Sequence, residues 1–240
     1  MKTASLSRTR SLRWLAAGTL ATSLMLAGLQ AAHAADDLIL VVPEGTAKPE
    51  ALSGHVAKWR TELGAQNVVW VDSVKREKPS GFGAMAVLNF NDAAQFAEWQ
   101  AKHAAAIGAP IKATPVDVLT EGGAAPAAGS QPVYKISYYT LTSSREAFQA
   151  WVDGYLTKYL EAQRTNNILT RYAMYLEQGQ GGRALLVLEY TDAKTEQAAE
   201  PIKEKLSQDI ARADAEYTRQ FELKESLRTT QSWTLAVPAR

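Results

Sequence analysis

Two stretches of this chain match each other at a fixed spacing of 100 residues. Gly83-Ala-Met-Ala-Val-Leu-Asn-Phe-Asn-Asp-Ala93 lies over Arg183-Ala-Leu-Leu-Val-Leu-Glu-Tyr-Thr-Asp-Ala193. Ala84/Ala184, Val87/Val187, Leu88/Leu188, Asp92/Asp192 and Ala93/Ala193 are identical, and Phe90/Tyr190 keeps an aromatic ring. Asn67 and Asn167 coincide as well, each opening a β-rich run. A chain that repeats itself this way builds one supersecondary unit twice.

The elements around the repeat have the same order in both halves. In the first, 38–42 is an apolar strand. A helix follows over 49–63, with Pro49 at its first position, Leu52, Val56, Trp59 and Leu63 on one stripe, and Gly64 at its end. Strands are predicted over 68–74 and 84–90. Asp92 caps a second helix, with Gln95 completing a capping box, and 111–119 is the last strand. The second half opens with a strand over 133–140. Ser143 and Glu146 form a capping box for a helix whose apolar face carries Phe148, Trp151, Val152, Tyr155, Tyr159 and Leu160. Strands over 168–176 and 184–190 follow. A long helix is expected from Pro201, with Ile202, Leu206, Ile210, Ala213, Tyr217 and Phe221 on one side, and 227–237 alternates as a closing strand. The segment Glu121–Pro132, rich in Gly, Ala and Pro, reads as a linker between a repeat at 35–120 and a repeat at 133–240.

Strand-helix-strand-strand-helix-strand is the order of a ferredoxin-like antiparallel sheet with its helices on one face. The other face of a single such sheet is bare. Two copies can cover those faces mutually. The expected fold is therefore α+β: two fused ferredoxin-like units packed sheet to sheet as a pseudo-dimeric α/β barrel.

Residues 1–34 read as an address. Lys2, Arg8, Arg10 and Arg13 precede an apolar run over 14–29, and Ala32-His33-Ala34 supplies a small-x-small cleavage site. The run is short for a bilayer span of about 20 residues. The expectation is a cleaved Sec-type signal peptide, a mature chain in the periplasm or outside the cell, and no membrane contact after cleavage. Without the four leader charges, 22 basic residues face 25 acidic ones, a poor balance for binding nucleic acid. The chain has no cysteine, which excludes disulfides, thiolate metal sites and a cysteine nucleophile.

The stretch Val87-Leu-Asn-Phe-Asn-Asp-Ala-Ala-Gln-Phe-Ala-Glu-Trp99 joins a strand ending in an aromatic, a capped helix and a Phe-x-x-Trp pair. In this, and in its topology, the chain resembles the dimeric α/β-barrel superfamily, in a tandem two-repeat form similar to antibiotic-biosynthesis-type monooxygenases. That resemblance implies a family holding cofactor-free oxygenases, haem-degrading enzymes and haem peroxidase-like proteins. In haem-degrading relatives the ligand lies about ten residues beyond the matching tryptophan, near Ala109 here, so that role does not carry over.

The residues themselves offer few chemistries. Two histidines follow the leader, His55 and His103. His103 sits in the stripe of Phe96, Trp99 and Ile107 and is rejected as a haem ligand in favour of a hydrogen-bonded core histidine. His55 reads as a helix-boundary residue. The two lack a third ligand, which makes a weak zinc proposal. Gly81-Phe-Gly-Ala-Met-Ala86 and Gly179-Gln-Gly-Gly-Arg-Ala184 fit Gly-x-Gly-x-x-Ala, but each precedes a strand, so hairpin turns with positive φ explain them. No cofactor is expected.

Strand parity gives the sharper expectation. Tyr134, Ile136, Tyr138, Tyr172, Met174, Leu186, Leu188 and Tyr190 are assigned to the helix side. Lys135, Ser137, Tyr139, Arg171, Tyr175 and Glu189 then face the common interior, opposite the plainer Val69, Val71, Met85, Val87 and Asn89 of the first half. Lys135, Arg171 and Glu189 would form a charged network. These six residues are the candidate binding site for a small amphipathic or anionic molecule. The charged face of the 201–225 helix, Lys203 included, reads as solvated. The leading reading is an exported small-ligand-binding protein without catalysis. The alternative is a cofactor-independent monooxygenase-like enzyme on a hydrophobic or phenolic substrate, oriented by Tyr139, Arg171 and Glu189. A third is a protein-interaction module using a sheet edge.

Overall fold

Among the described residues eight strands, most of them buried on both faces, close into one barrel. The computed structural model describes residues 37–43, 50–76, 82–105, 107, 111–124, 130–179 and 182–239. The leader lies outside them, as does the loop holding Gly81. The elements are β1 (Asp37–Pro43), α1 (Glu50–Leu63), β2 (Val68–Arg76), β3 (Phe82–Leu88), α2 (Ala93–His103), β4 (Lys112–Gly123), β5 (Val133–Leu141), α3 (Arg145–Trp151), a π-helical turn (Val152–Leu156), α4 (Thr157–Thr165), β6 (Leu169–Glu177), β7 (Arg183–Tyr190), α5 (Ala193–Ala213), α6 (Ala215–Leu227) and β8 (Arg228–Pro238).

Around the barrel the strands run β1-β3-β2-β8-β5-β7-β6-β4, and β4 returns to β1. Each neighbouring pair is antiparallel. The first half thus contributes β4-β1-β3-β2 and the second β8-β5-β7-β6, the same order. The halves meet by backbone hydrogen bonds at two seams, β2 with β8 and β4 with β6. This differs from stacked sheets: edge-to-edge joining satisfies the polar edge groups and leaves no open edge.

Local chemistry explains most element ends. Asp92 and Asp192, 100 residues apart, both act as N-caps, accepting from the backbone N–H of Gln95 and Thr195 at 2.8 and 2.7 Å. The Gln95 amide oxygen reaches back to the Asn91 N–H at 2.7 Å, one residue before the cap. In the second half Ser144, not Ser143, caps α3 by accepting from Ala147 N–H. Ser143 instead donates to the Leu227 carbonyl. Helix α5 starts eight residues before Pro201, behind Asp192, and holds that proline within it. Asp214 then breaks the predicted long helix and caps α6. Gly179 and Gly182 have positive φ, as turns require, but Gly83 lies inside β3.

Strand β4 runs on through Gly123, into the segment whose composition reads as a linker, and pairs Glu121, Gly122 and Gly123 with Ala173, Tyr172 and Arg171. The glycines permit this. Gly123 has φ +95°, and a Cβ there would lie 2.1 Å from the Thr170 carbonyl oxygen.

Three cores result. Between α1/α2 and the first half of the barrel, Trp59, Trp99, Phe90, Leu52 and Val56 are buried. Between the second-half helices and their strands lie Phe148, Trp151, Met174, Tyr190 and Tyr217. Inside the barrel lie Ile39, Val71, Met85, Val87, Ile136 and Leu185. Each fully buried large apolar side chain contributes about 2–3 kcal/mol.

Candidate functional site

The barrel interior receives only part of the residues expected there. Arg171, Tyr175 and Glu189 point inward, as do Val69, Val71, Met85 and Val87. Strand β5 is turned the other way. Tyr134, Ile136 and Tyr138 face the interior, and Lys135, Ser137 and Tyr139 face the helices. Lys135 pairs with Glu196 of α5 at 3.8 Å and lies over the Trp233 ring, so it takes no part in a network with Arg171 and Glu189. Ser137 is buried on that outer face opposite Trp233, and Tyr139 packs into the second-half helix core. The physical reason is that both faces of β5 are buried, so polarity does not choose between them.

At one end of the interior the polar residues gather. Asn89 donates to Asp37, the Phe90 N–H donates to the same carboxylate at 3.2 Å, and Arg171 Nη2 donates to Asn89 Oδ1 at 3.5 Å. Burial pushes the Asp37 carboxyl up to about 6, against the pull of those donors. Glu189 accepts from Thr170 at 2.5 Å, and burial raises its proton affinity too. The space beside Glu189, Tyr134 and Arg171 is only about 20 Å³, room for one water. This end is a plug.

His103 is a core residue. Its Nε2 lies 2.7 Å from Glu62 Oε2, and its ring packs against Trp59 and Trp99. His55 is half-buried and stacks on Trp59. Among the described residues no cluster of three or more His, Asp or Glu is placed to hold a metal ion.

A polar site roomier than this plug lies between the helices and the strands of the second half. A cavity of about 200 Å³ is walled by Tyr139 of β5, Trp151 of α3, Tyr155 of the π-helical turn, Tyr159, Leu160 and Gln163 of α4, Leu186 and Leu188 of β7, Lys203 of α5 and Arg228 of β8. Three buried polar atoms on this wall have no hydrogen-bond partner: Trp151 Nε1, Arg228 Nε and Gln163 Oε1. Two are donors and one an acceptor, and each costs about 1–3 kcal/mol while unmatched. The Arg228 guanidinium lies over the Tyr139 ring at 4.0 Å and the Trp151 ring at 5.1 Å. Lys203 Nζ donates to the Tyr190 hydroxyl at 2.9 Å, and burial, with Lys135 nearby, lowers its proton affinity. Burial also raises the Tyr155 and Tyr159 phenols, so both stay protonated at neutral pH.

Residues 100 positions apart show what differs between the two halves at this cavity. The spacing of 100 continues into the helices. The buried residues of α2 are Trp99 and His103, and those of α5 are Ala199 and Lys203, in register. Where the first half packs an indole, the second has a methyl group. Where His103 meets Glu62, Lys203 meets Tyr190. Lys203 thus belongs with buried Ala199 and partly buried Leu206 and Ile210 on the inner stripe, not to a solvated face. A cation at i+4 and i−3 from apolar stripe positions was the available signal. Gln163 and Arg228 gave none, since neither interrupts a pattern. The π-helical turn puts Tyr155 on the cavity wall, and such turns recur at functional sites.

Comparison with solved structures gives the same fold. A proposed monooxygenase from Fusobacterium nucleatum subsp. nucleatum superposes with a TM-score of 0.51 at 11% identity, over 85% of this chain and 94% of that one. An anthrone oxidase-like protein superposes with a TM-score of 0.50 at 9% identity, over 85% of this chain and 90% of that one. The likeness is one of fold. No protein-family profile matches the sequence, and no curated protein matches it.

Proposed function

We propose that this chain is a monooxygenase-like enzyme that binds a small phenolic ring system in the second-half helix–strand cavity and oxygenates it without a metal or flavin. The observation that carries the reading is the convergence of Trp151 Nε1, Arg228 Nε and Gln163 Oε1, all buried and unmatched, on one aromatic-walled space. A phenolic oxygen would accept from the two donors, and a second hydroxyl would donate to Gln163. A space of about 200 Å³ suits one or two fused rings. The proposed monooxygenase and the anthrone oxidase-like protein of the same fold support the reaction class.

The chemistry follows from the walls. Burial favours the neutral amine of Lys203 against the pull of Glu200 at 3.8 Å, and in that form the amine accepts the phenolic proton and becomes an ammonium beside the anion it has made. The electron-rich ring carbon para to that oxygen bonds to one atom of O₂. The second oxygen atom leaves as water, taking the ring hydrogen and the phenolic proton. The ring supplies all four electrons that O₂ takes up: phenol plus O₂ gives quinone plus water.

The same reading keeps residues 1–34 as a cleaved export signal and the two halves as tandem repeats at 35–120 and 133–240. The shared strand order and the paired caps Asp92 and Asp192 support the repeats. The mass of the protein made in an exporting host tests the cleavage after Ala34.

The test of function uses 1,5-dihydroxynaphthalene as probe. Oxygen uptake and the appearance of the hydroxynaphthoquinone spectrum are expected to saturate, and Lys203→Met to abolish both while the probe still quenches Trp151. Quenching without oxygen uptake in the unaltered protein would reduce the reading to a binding protein. The absence of both quenching and oxygen uptake would overturn it.

A further inference from the structure

The plugged end of the barrel has an open counterpart. At the Pro43 end a cleft of about 520 Å³ enters the interior, within the range of small-molecule sites. Its floor is apolar: Ile39, Val116 and Leu185. Its mouth carries Lys112, Arg183 and Glu177. Arg183 is held by Glu177 at 2.5 Å, whereas Lys112 is exposed and makes no ion pair among the described residues. Between floor and mouth stands Tyr138. Its ring packs on Phe82, its hydroxyl makes no hydrogen bond among the described residues, and its phenol is kept protonated by burial. The mouth therefore offers a net positive charge and a free hydroxyl donor above a greasy shaft.

We propose that this cleft is a second ligand site, for an amphipathic monocarboxylate lying chain-down in the barrel. The headgroup accepts from the Tyr138 hydroxyl and sits by Lys112, and the chain covers Ile39, Val116 and Leu185. From Pro43 to Ile39 strand β1 spans about 13 Å, or about 10 Å along the axis of a tilted barrel, the reach of roughly eight to ten carbons. The site shares Tyr139 at its margin with the phenolic cavity but uses none of the unmatched donors there.

The test is calorimetric titration with decanoate, with decanol as the uncharged twin. Decanoate is expected to bind saturably and about tenfold or more tighter than decanol. Tyr138→Phe and Lys112→Glu should each weaken decanoate about three- to tenfold. Thr114→Trp, a substitution at the partly exposed mouth, should block it. Lys203→Met should leave it unchanged, which separates this site from the phenolic one. The proposal is overturned if decanoate gives no saturable heat, if decanol binds as tightly, or if Tyr138→Phe, Lys112→Glu and Thr114→Trp, each folded by circular dichroism, all bind as the parent does.

Discussion

Arg171 of the second half reaches Asn89 of the first across the barrel interior, with 3.5 Å between Nη2 and Oδ1. Asn89 in turn holds Asp37. The positive charge of Arg171 also acts on Asp37 and Glu189, favouring their ionised forms. Arg171→Met leaves both acids without that support. A loss of about 2–4 kcal/mol at pH 7 is expected, read as a lower urea midpoint. Binding in the phenolic cavity should be unaffected, because Arg171 lies on the opposite face of the sheet.

Asp37 sets a pH dependence of stability. Its folded-state value of about 6 lies above the unfolded 3.8, so the folded chain holds this proton more tightly. Between those values the folded state binds more protons than the unfolded one. Stability from this group is therefore greatest below pH 4 and falls as pH rises through 6. The span is worth about 3 kcal/mol at most. Denaturation midpoints from pH 4 to 7 should show this slope, and Asp37→Asn should flatten it.

Gly123 closes one of the two seams. Its φ of +95° and the Thr170 carbonyl 2.1 Å from a notional Cβ leave no place for a side chain. Gly123→Ala should cost about 2–4 kcal/mol. Hydrogen exchange should speed up along β4 and β6 more than along β2 and β8, because only the β4–β6 seam is forced apart.

Trp151→Phe keeps most of the ring volume and removes the unmatched Nε1–H. The free protein should gain up to about 1 kcal/mol, since a buried donor without a partner is gone. Affinity for 1,5-dihydroxynaphthalene should drop about three- to tenfold. Gain in one and loss in the other is the signature of a donor kept for a ligand. Thermal melts and equilibrium dialysis of the probe read the two effects separately.

Much of the fold was legible because it is local. Asp92 and Asp192 cap helices whatever surrounds them, since each accepts a hydrogen bond from an N–H three residues on. The helical stripe of Leu52, Val56, Trp59 and Leu63 and the turn glycines Gly179 and Gly182 are of the same kind. The candidate site was less legible. Of the six expected interior residues, Arg171, Tyr175 and Glu189 face inward, while Lys135, Ser137 and Tyr139 face the helices. A strand buried on both sides has no solvent face to betray its orientation, and a change of one residue in register exchanges its faces.

What the sequence determined by itself is most of the order of elements, because caps, turns and hydrophobic periods act over a few residues. What only the tertiary structure decided is the meeting of Gln163, Lys203 and Arg228, which come from α4, α5 and β8 to one cavity. No local interaction relates them. They are neighbours because the second-half helices pack over β5, β7 and β8, and because Ala199 stands where Trp99 fills the corresponding place in the first half.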